Sequence, residues 1–489
     1  MAKRTAIIDI GSNSISLVIY EKSSRFAFHL VEKARARVRI GEGAYEQNGL
    51  LNDTQMDKAY GVLEDFLYVS SNLKCRKILC VATSALRDAP NRGVFLNRVS
   101  KNLKLNIKII DGKKEAYFGA IAALNLLPSF DEATTIDIGG GSTELAKIEN
   151  GKIVDTISLN LGTVRLKELF ALKEDRLEAM YSYSHEILNS IPKKFKSKII
   201  IGIGGTIRSL ALVIMKKEEY PLELLHAFSY RLMKSNMKLI NKIPTYSRDK
   251  LAKLNFPSSR LDTTVEGILL FGVLLEKLEA SSVITSKAGV REGVYLHDIL
   301  RNSNYKFPHN FNVSIKSLID RFALNEKNCS YVQRVSFKLF DTLEPIHQIG
   351  SRYRELLGFA SKLSPISQRL NIYSNSDNRF FFLLENLNFA LSHEEKICIA
   401  MLLRLINKGE ISKKDISEYN LLLPSFEVFE WLHFMLALST CINSNRHIQK
   451  IDFELEDKKK LIIKGSGSMF LARECIEKQY IASLVVEVV

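Results

Sequence analysis

Two similar stretches decide the fold: IIDIGSNSISLVIY at residues 7–20 and TIDIGGGSTELAKI at residues 135–148. Each reads as an apolar strand, a tight glycine-rich turn and an alternating strand, which predicts a β-hairpin whose turn glycines adopt positive φ. The identical pairs are Ile8/Ile136, Asp9/Asp137, Ile10/Ile138, Gly11/Gly139, Ser14/Ser142 and Leu17/Leu145. Two such hairpins predict two related α/β domains, each presenting one turn to a shared cleft.

The chemistry of both turns suits phosphate, because glycines leave room for consecutive backbone N–H groups to converge on an anion. The candidate phosphate-binding residues are Ser12, Asn13, Ser14, Gly139, Gly140, Gly141, Ser142 and Thr143. Asp9 and Asp137 end the first strand of each hairpin, where a hard divalent cation could lie between carboxylate and phosphate. One such turn is more often an ordinary hairpin; two in register favour a phosphate site.

A third glycine-rich element, KIIIGIGGTIRSLA, occupies residues 198–211. Apolar β-formers lead into a GxGGT turn and then a helical pattern, and a strand followed by a glycine loop and a helix N-terminus is a common anion or nucleotide site. It is neither a Walker A loop nor a dinucleotide fingerprint. Alone it could be a simple tight turn; beside the hairpins, Gly202, Gly204, Gly205 and Thr206 become a third wall of the cleft.

Composition sets the broad class. A chain of 489 residues, 46% hydrophobic and 25% charged, predicts about three globular domains and excludes dominant disorder. No run approaches the ~18 uncharged apolar residues of a membrane span, and the first residues do not form a signal peptide. The six cysteines show no CxxC pair or metal spacing, which predicts reduced, mostly buried thiols in a cytoplasmic protein.

The net charge of +15 is unevenly spread. Residues 311–489 carry 23 Lys+Arg and 21 Asp+Glu, hence +2, so the remaining residues carry 46 and 33, hence +13. A basic surface attracts polyanions such as nucleic acid, polyphosphate or nucleotides. No RNP, zinc-finger or helix-turn-helix pattern is present. The alternative is that these lysines and arginines only keep the surface soluble.

Taken together, the three loops resemble the actin-like, sugar-kinase and heat-shock ATPase superfamily. Further segments narrow the resemblance to the exopolyphosphatase/guanosine pentaphosphate phosphatase (Ppx/GppA) family. The segments similar to its motifs are VATSALRDAPN (81–91), IIDGKKEAYFGA (109–120), SLNLGTVRLKE (158–168), PSSRLDTTVEGILLFG (257–272) and TSKAGVREGV (285–294). They follow the family's order over roughly residues 5–300.

The resemblance implies roles for single residues. Glu115 stands at the family's catalytic glutamate, which would orient or deprotonate the water attacking a terminal phosphoryl group. Taken alone, Glu115 would pass for a solvated carboxylate at a helix start. The sequence departs from the family at Lys114, where a second acid is common; with Lys113 it could hold a polyanion or tune Glu115.

The resemblance also implies a metal site and cationic groups. Asp9, Asp137 and Glu144 match its metal-binding and water-positioning acids, and the implied cofactor is Mg²⁺. Arg87 matches its phosphate-binding arginine, although it could be a surface helix arginine. Arg260 and Arg291 also fall on family motifs, and either could equally form an interdomain salt bridge.

From residue 307 the sequence becomes helix-rich, with two strands expected within 455–489. In longer family members this region resembles an HD phosphohydrolase domain, but its metal ligands are replaced here. Ser364 and Pro365 stand where His-Asp is expected, Asn328 near the first His, and NSDN (375–378) in place of a His-rich run. We expect a non-catalytic domain that lengthens a polyanion channel, dimerises or gates access.

The predicted fold is α/β: two ribonuclease-H-like domains, residues 1–128 and 129–305, flank a cleft, and a helical, degenerate HD-like domain covers 306–489. The implied activity is release of terminal orthophosphate from polyphosphate, from pppGpp to give ppGpp, or from both. The implied partners are these anions and a second copy in a homodimer, with no nucleic acid and no membrane. The alternatives are an ATP-dependent kinase of the same superfamily and a non-catalytic alarmone or polyphosphate sensor.

Overall fold

Both predicted hairpins form in the computed structural model, which describes residues 3–44, 49–369 and 376–489. In each hairpin the strands pair antiparallel, and the first turn glycine donates its N–H to the serine carbonyl three residues on, at 3.1 Å and 2.9 Å. Neither of these glycines has a positive φ, so that part of the prediction was wrong. The described chain divides into two compact units, residues 1–311 and 312–489.

The first hairpin belongs to a five-stranded sheet of order β3-β2-β1-β4-β5. Its strands are β1 (Lys3–Ile10), β2 (Ile15–Lys22), β3 (Phe28–Ala36), β4 (Lys77–Ala82) and β5 (Ile107–Ile109). The helices of this stretch are α1 (Asp53–Asn72), α2 (Ser84–Asp88), α3 (Arg92–Leu103) and α4 (Gly112–Leu126). Strands β1, β2 and β3 form an antiparallel meander, and β4 and β5 run parallel to β1.

The second hairpin begins a six-stranded sheet of order β10-β11-β9-β6-β7-β8. Its strands are β6 (Glu132–Ile138), β7 (Thr143–Glu149), β8 (Lys152–Leu159), β9 (Ile199–Ile203), β10 (Ser229–Arg231) and β11 (Ser282–Thr285). The helices are α5 (Thr163–Leu169), α6 (Arg176–Leu188), α7 (Gly205–Lys217), α8 (Lys234–Lys242), α9 (Arg248–Lys253), α10 (Thr264–Lys277) and α11 (Val290–Ile299). Strands β8-β7-β6-β9-β11 repeat the topology of β3-β2-β1-β4-β5, so the sequence repeat is a structural repeat.

Two helices each pack against the sheet of the other repeat. Helix α4 comes from the first stretch of chain but packs on β7 and β8, where its Ala116 and Ala120 meet Ala146 and Ile148. Helix α11 comes from the second stretch but packs on β1 and on α4. The chain therefore returns to the first sheet after residue 290, as expected. A division into domains at residue 128 stays a proposal, and it would separate α4 from the sheet that buries it.

The second unit is mostly helical, as its sequence predicts. Its helices are α12 (Val313–Phe322), α13 (Glu326–His347), α14 (Ser351–Arg369), α15 (Ser376–Asn386), α16 (His393–Leu405), α17 (Lys413–Ile416), α18 (Phe426–Ile442) and α19 (Phe470–Ile476). Helix α14 packs against α12, α13, α16 and α18. The expected terminal sheet is present as β12 (Ile451–Glu456), β13 (Lys460–Gly465) and β14 (Val485–Val488). None of the helices in the described ranges is both long enough and apolar enough to cross a bilayer.

The cysteine prediction was wrong for one pair. Cys441 on α18 and Cys475 on α19 form a disulfide across 34 residues of sequence. The two helices pack together, which brings the thiols into bonding range although no spacing motif links them. The other cysteines are free, with Cys75 partly exposed and the rest buried.

Alkylation tests the cysteine pairing directly. When the unfolded, unreduced protein is treated with iodoacetamide, we expect modification of Cys75, Cys80, Cys329 and Cys398 only. Mass spectrometry after reduction should then reveal Cys441 and Cys475 as the newly reactive thiols. Alkylation of either of these two before reduction would contradict the disulfide.

The close approach of α4 and α11 depends on Gly293. A Cβ at this position would collide with the backbone carbonyl of Phe118. We expect Gly293→Ala to destabilise the first unit by about 1–3 kcal/mol, because the packed helices must separate. The matched control is Gly61→Ala in the middle of α1, where a Cβ meets no atom within 4 Å. That change should stabilise by about 0.5–1 kcal/mol. Urea unfolding of both variants measures the two effects, and equal effects would contradict this packing.

Candidate active site

A cavity of about 230 Å³ lies where the turns of both hairpins meet the β9–α7 turn. Most of the residues singled out in the sequence line it: Asp9, Ser12, Asn13, Ser14, Glu115, Asp137, Gly139, Gly140, Ser142, Glu144, Gly204, Gly205, Thr206, Arg260 and Arg291. The topology explains this convergence, because β1, β6 and β9 all end at the same edge of their sheets. We call this cavity the cleft.

Four of the expected site residues do not line the cleft. Arg87, described below, is one, and the others are Thr143, Gly141 and Gly202. The buried hydroxyl of Thr143 donates to the carbonyl of Leu161 at 2.5 Å. The carbonyl of Gly141 accepts from Nε of Arg165 at 2.9 Å. Gly202 lies within β9, where a Cβ would approach Ile207 at 2.6 Å. Thr143 and Gly141 therefore make contacts behind the second hairpin turn, and Gly202 packs against Ile207, so none of the three faces the cleft.

Glycine is required at two cleft positions for different reasons. A Cβ at Gly140 would come within 3.1 Å of Ser12 Cβ, so Gly140 lets the two hairpin turns approach each other. Gly204 has a φ of +98°, a conformation that other residues rarely adopt. It also lies against the Asp137 carboxylate, with Oδ1 3.0 Å from the position of a Cβ.

Two helices point their N-termini at the cleft. Helix α7 begins at Gly205 and α11 at Val290, and both ends line the cavity. The unpaired N–H groups and helix dipole of such ends favour a bound anion. Glu292 fixes the start of α11, since its Oε2 accepts from the N–H of Gly289 at 2.8 Å and its Oε1 accepts from Tyr20 Oη at 2.9 Å.

Glu115 lies in the first turn of α4. Asp111 caps this helix by accepting the N–H of Lys114 at 2.7 Å, which fixes where the turn begins. Arg87 then binds the Glu115 side chain, with Nη1 3.0 Å from Oε2, and its Nη2 lies 3.4 Å from Ser142 Oγ. One guanidinium therefore joins the catalytic candidate to the second hairpin turn.

Glu115 and Glu144 form an acidic pair inside the cleft. Burial, followed by the charge of Glu144, raises the pKa of Glu115 well above its usual range, and Arg87 opposes this shift. Burial likewise raises the pKa of Glu144 to about 7, although hydrogen bonds from Ser142 and Ser158 favour its charged form. Carboxylates held in this way are candidates for proton transfer near neutral pH.

Asp9 and Asp137 form a second acidic pair. Burial is the main cause that raises the pKa of Asp9, and it raises that of Asp137 to about 6, while Arg291 opposes both shifts. No group of three or more His, Cys, Asp or Glu side chains in the described ranges is arranged to hold a metal ion. Two buried aspartates nevertheless suit Mg²⁺, which commonly takes one or two carboxylates and completes its shell with water and substrate phosphate.

A row of cations faces these acids. Sequence analysis identified Arg260 and Arg291 but missed Lys33, Arg35, Arg208 and Lys287, which line the same cleft. Together these six residues form what we call the cationic wall. Burial and the charges of neighbouring arginines lower the pKa of Arg35, of Arg208 and of Arg260, the last to about 10. Positive charge is therefore gathered here beyond what the cleft carboxylates neutralise.

A sequence pattern could have indicated two of the missed cations, Lys33 and Arg35. In the segment KARARVR (33–39) every second residue is a cation, and alternate residues of a strand share a face. Lys33 and Arg35 lie on β3 and line the cleft. Arg37 continues beyond the strand and pairs with Asp262 at 2.7 Å. Arg39 also pairs with Asp262, so the segment after β3 is tied to the second repeat at the rim of the cleft.

Arg260 covers the β9–α7 turn. Its guanidinium occupies the space that a Cβ at Gly205 would need. A strand, glycine turn and helix N-terminus of this kind can accept an anion or a nucleotide. Here the space above the turn is filled by the chain's own arginine, which makes the third wall of the cleft cationic.

Lys114 does not point its charge into the cleft. Its ammonium group lies 4.7 Å from the ring centre of Tyr117 and 5.1 Å from that of Phe118. Burial lowers its pKa, as does the charge of Lys108. The departure from the family pattern next to Glu115 therefore adds a cation–π contact with Tyr117 and Phe118.

In the second unit, two of the residues that replace the expected HD ligands are buried, whereas Pro365 and the described part of the NSDN segment are partly or fully exposed. Ser364 on α14 is buried and donates to the carbonyl of Ser361 at 3.0 Å. Asn328 on α13 is also buried. Pro365 lies within α14, and Asn375 of the NSDN segment lies outside the described residues.

Comparisons with known proteins agree with this geometry. The curated bifunctional 3-dehydroquinate synthase/phosphatase of Fusobacterium nucleatum is 28% identical over 319 residues, covering 60% of this chain and 46% of its own length. The chain thus matches less than half of that relative. A Ppx/GppA family member from Aquifex aeolicus has a TM-score of 0.52 at 26% identity, covering 62% of this chain and 99% of its own.

A structure described as an exopolyphosphatase from Cytophaga hutchinsonii has a TM-score of 0.55 at 24% identity, covering 61% of this chain and 98% of its own, and supports the fold. The profile of the Ppx/GppA phosphatase family matches residues 18–302, which include part of β2, all later strands of both sheets and most of the residues that line the cleft. With 285 of 489 residues matched, the chain belongs to the Ppx/GppA phosphatase family.

Proposed function

We propose that this chain hydrolyses a terminal phosphoanhydride and releases orthophosphate. The observation that carries the proposal is the meeting of two phosphate-type hairpin turns, two helix N-termini and the cationic wall beside Glu115 and Glu144. Phosphoryl transfer asks a protein mainly for positioning and charge neutralisation. The cleft supplies donors and cations for the anion, and carboxylates for the attacking water.

The substrate class follows from the charge distribution. A single terminal phosphate would need only the hairpin turns, Arg87 and the helix ends. The cationic wall extends the positive surface along β3 to Arg208 and Arg260, where further phosphates of a chain would lie. We propose inorganic polyphosphate, pppGpp, or both as substrates, because each has a terminal phosphoryl group followed by more negative charge.

The chain's own residues suffice to describe the proton transfer. The hairpin turns and helix N-termini hold the terminal phosphoryl group, and Glu144 orients a water molecule beside it. Glu115 accepts a proton as the water oxygen bonds to phosphorus and the bridging P–O bond breaks. The shortened chain leaves with the bonding electrons, and the proton can return to it. Arg87 orients the Glu115 carboxylate and favours its ionised form against the effect of burial.

Asp9 and Asp137 are the residues that would hold Mg²⁺. The ion would neutralise charge on the phosphate oxygens. Glu144 serves the water in this proposal, because Ser142 and Ser158 hold it by hydrogen bonds and its charge acts on Glu115.

Two alternatives predict different products. A kinase of the same superfamily would transfer phosphate from ATP to an acceptor, but Arg260 fills the space over the β9–α7 turn that a nucleoside would need. A sensor would bind ppGpp or polyphosphate without turnover, but it would not need the paired carboxylates. Phosphorylation of an acceptor by ATP would support the kinase, and tight ppGpp binding without phosphate release would support the sensor.

We further propose that residues 306–489 form a non-catalytic, degenerate HD-like domain, and that the protein is a homodimer. The buried Asn328 and Ser364 support the first point, since neither is a good metal ligand. The Cys441–Cys475 disulfide argues against the cytoplasmic location that the sequence predicts and for an oxidising compartment, because disulfides are rare in the reducing cytosol. The alkylation experiment above, performed on protein from both compartments, decides this point.

Replacing the proposed base tests the mechanism. We expect Glu115→Gln to lower kcat for phosphate release from polyphosphate and pppGpp by roughly 10²–10⁴-fold, because the amide cannot accept the proton. Binding of either substrate should persist, since the cationic wall is unchanged. The matched control is Glu186→Gln, at an exposed position on α6. Phosphate release by Glu115→Gln equal to that of the control would contradict the role of Glu115.

Removing one wall cation tests the substrate path. We expect Arg260→Ala to raise KM for long-chain polyphosphate about tenfold and to change kcat much less, because Arg260 contacts phosphates away from the reacting one. The KM for tripolyphosphate should rise less, since fewer of its phosphates reach the cationic wall. Arg231→Ala on the exposed surface of β10 is the control. An unchanged KM for the long chain would show that Arg260 only fills space over the turn.

A further inference from the structure

A second cationic cavity lies at the other end of the first sheet from the cleft. It has a volume of about 330 Å³, and its lining includes Lys3, Lys22, Arg25, Lys77 and Arg301 but a single acid, Asp298. We call it the distal pocket. Its lining shares no residue with the cleft. Asp9 lies six residues beyond Lys3 along β1, so roughly 20 Å of strand separates the two cavities.

The strand register builds the cationic floor of the distal pocket. Lys3 of β1 is directly opposite Lys22 of β2, and Thr5 of β1 is level with Lys77 of β4. Directly opposed side chains share a face of the sheet and lie within about 5 Å at Cβ, where like charges are unfavourable. Three adjacent strands therefore each contribute a lysine to one face.

At the neighbouring position on β1, a cation is opposite an acid and pairs with it. Arg4, on the opposite face, is level with Glu21 and forms an ion pair with it at 2.7 Å. In the adjacent cross-strand pair, Lys3 is opposite Lys22. At the distal pocket the cross-strand pair therefore consists of two cations, where the neighbouring pair has a cation and an acid.

Asp298 neutralises only part of the pocket. It pairs with Lys77 at 2.5 Å and with Arg301 at 3.4 Å. Within the described ranges, no carboxylate forms an ion pair with Lys3, Lys22 or Arg25. Burial lowers the pKa of Lys22, and the charges of Lys3 and Arg25 lower it further. The three groups repel one another in the absence of an anion.

A buried donor also lacks a partner at this pocket. Tyr295 of α11 lines it and is only 1% exposed. Its phenolic oxygen is buried with no hydrogen-bond partner in the described chain, although buried hydroxyls normally have one. An anion oxygen would satisfy this O–H group. Beside it, Phe26 gives the wall an aromatic surface, over which Arg25 lies 5.0 Å from the ring centre.

We propose that the distal pocket is a second anion site that binds a small phosphorylated anion with two or more negative charges. Three uncompensated cations match the charge of such a ligand, and the unpartnered phenol supplies a neutral donor. The volume suits a diphosphate group or a nucleoside diphosphate. This site is independent of the hydrolysis proposed for the cleft, so either proposal can fail without the other.

Lysine footprinting tests the site directly. The full chain is acetylated with a limiting amount of reagent in EDTA, with and without pyrophosphate, and peptides are quantified by mass spectrometry. We expect saturating pyrophosphate to slow the labelling of Lys22 at least fivefold. Lys58 and Lys101, exposed on α1 and α3, should label at an unchanged rate. Equal labelling of Lys22 in both samples, or equal protection of all three lysines, would overturn the proposal.

A variant separates direct protection from an effect of anion bound in the cleft. Calorimetry in EDTA should find two pyrophosphate sites in the wild-type protein. Lys22→Gln/Arg25→Gln should lose one of them, and the matched control Lys58→Gln/Lys101→Gln should keep both. ADP should displace pyrophosphate from the distal pocket and adenosine should not, if phosphate is the recognised group. Two sites in the Lys22/Arg25 variant, or displacement by adenosine, would overturn the proposal.

Discussion

The ion pair between Arg87 and Glu115 is the contact on which the cleft depends. It joins the segment after β4 to the first turn of α4, and Arg87 also reaches Ser142 of the second hairpin turn. Helix α4 is in turn fixed by the second sheet on one side and by α11 on another. The proposed base is therefore positioned by elements of both repeats, and its carboxylate keeps a charge partner although it is nearly buried.

The two repeats share one strand arrangement, and the residues in which they differ include those proposed for catalysis. Asp9 and Asp137 are equivalent, as are the two turn serines, Ser14 and Ser142. The cross-strand partner of Asp9 is Ser16, whereas that of Asp137 is Glu144. A carboxylate that can pair with Glu115 is thus present in only one copy. The serines differ in the same way, because Ser14 accepts from Arg35 of the cationic wall and Ser142 is approached by Arg87.

Much of this architecture could be predicted from the sequence, because local patterns determine it. The two hairpins, the β9–α7 turn and the helical character of the second unit all follow from apolar periodicity and glycine spacing. The turn glycines were predicted to need positive φ; the structure shows close approach at Gly140 and positive φ only at Gly204 among the cleft glycines. The family resemblance identified Glu115, whose isolated sequence context is that of an exposed carboxylate.

What the sequence could not predict depends on contacts between distant segments. The Cys441–Cys475 disulfide arises from the packing of α18 on α19. The cationic wall gathers residues from β3, α7, α11 and the segments that follow α9 and β11. The alternation of Lys33 and Arg35 was visible but could not be assigned to the cleft without the sheet order. The distal pocket likewise requires the register that sets Lys3 opposite Lys22.

The most direct test of the central claim is the fate of the water oxygen. Long-chain polyphosphate would be incubated with the protein and magnesium in ¹⁸O-labelled water, and the released phosphate analysed by mass spectrometry. Attack of a Glu115-activated water on the terminal phosphorus predicts one ¹⁸O atom in each released orthophosphate and none in the shortened chain. Label in the remaining chain, or no orthophosphate release at all, would contradict the account.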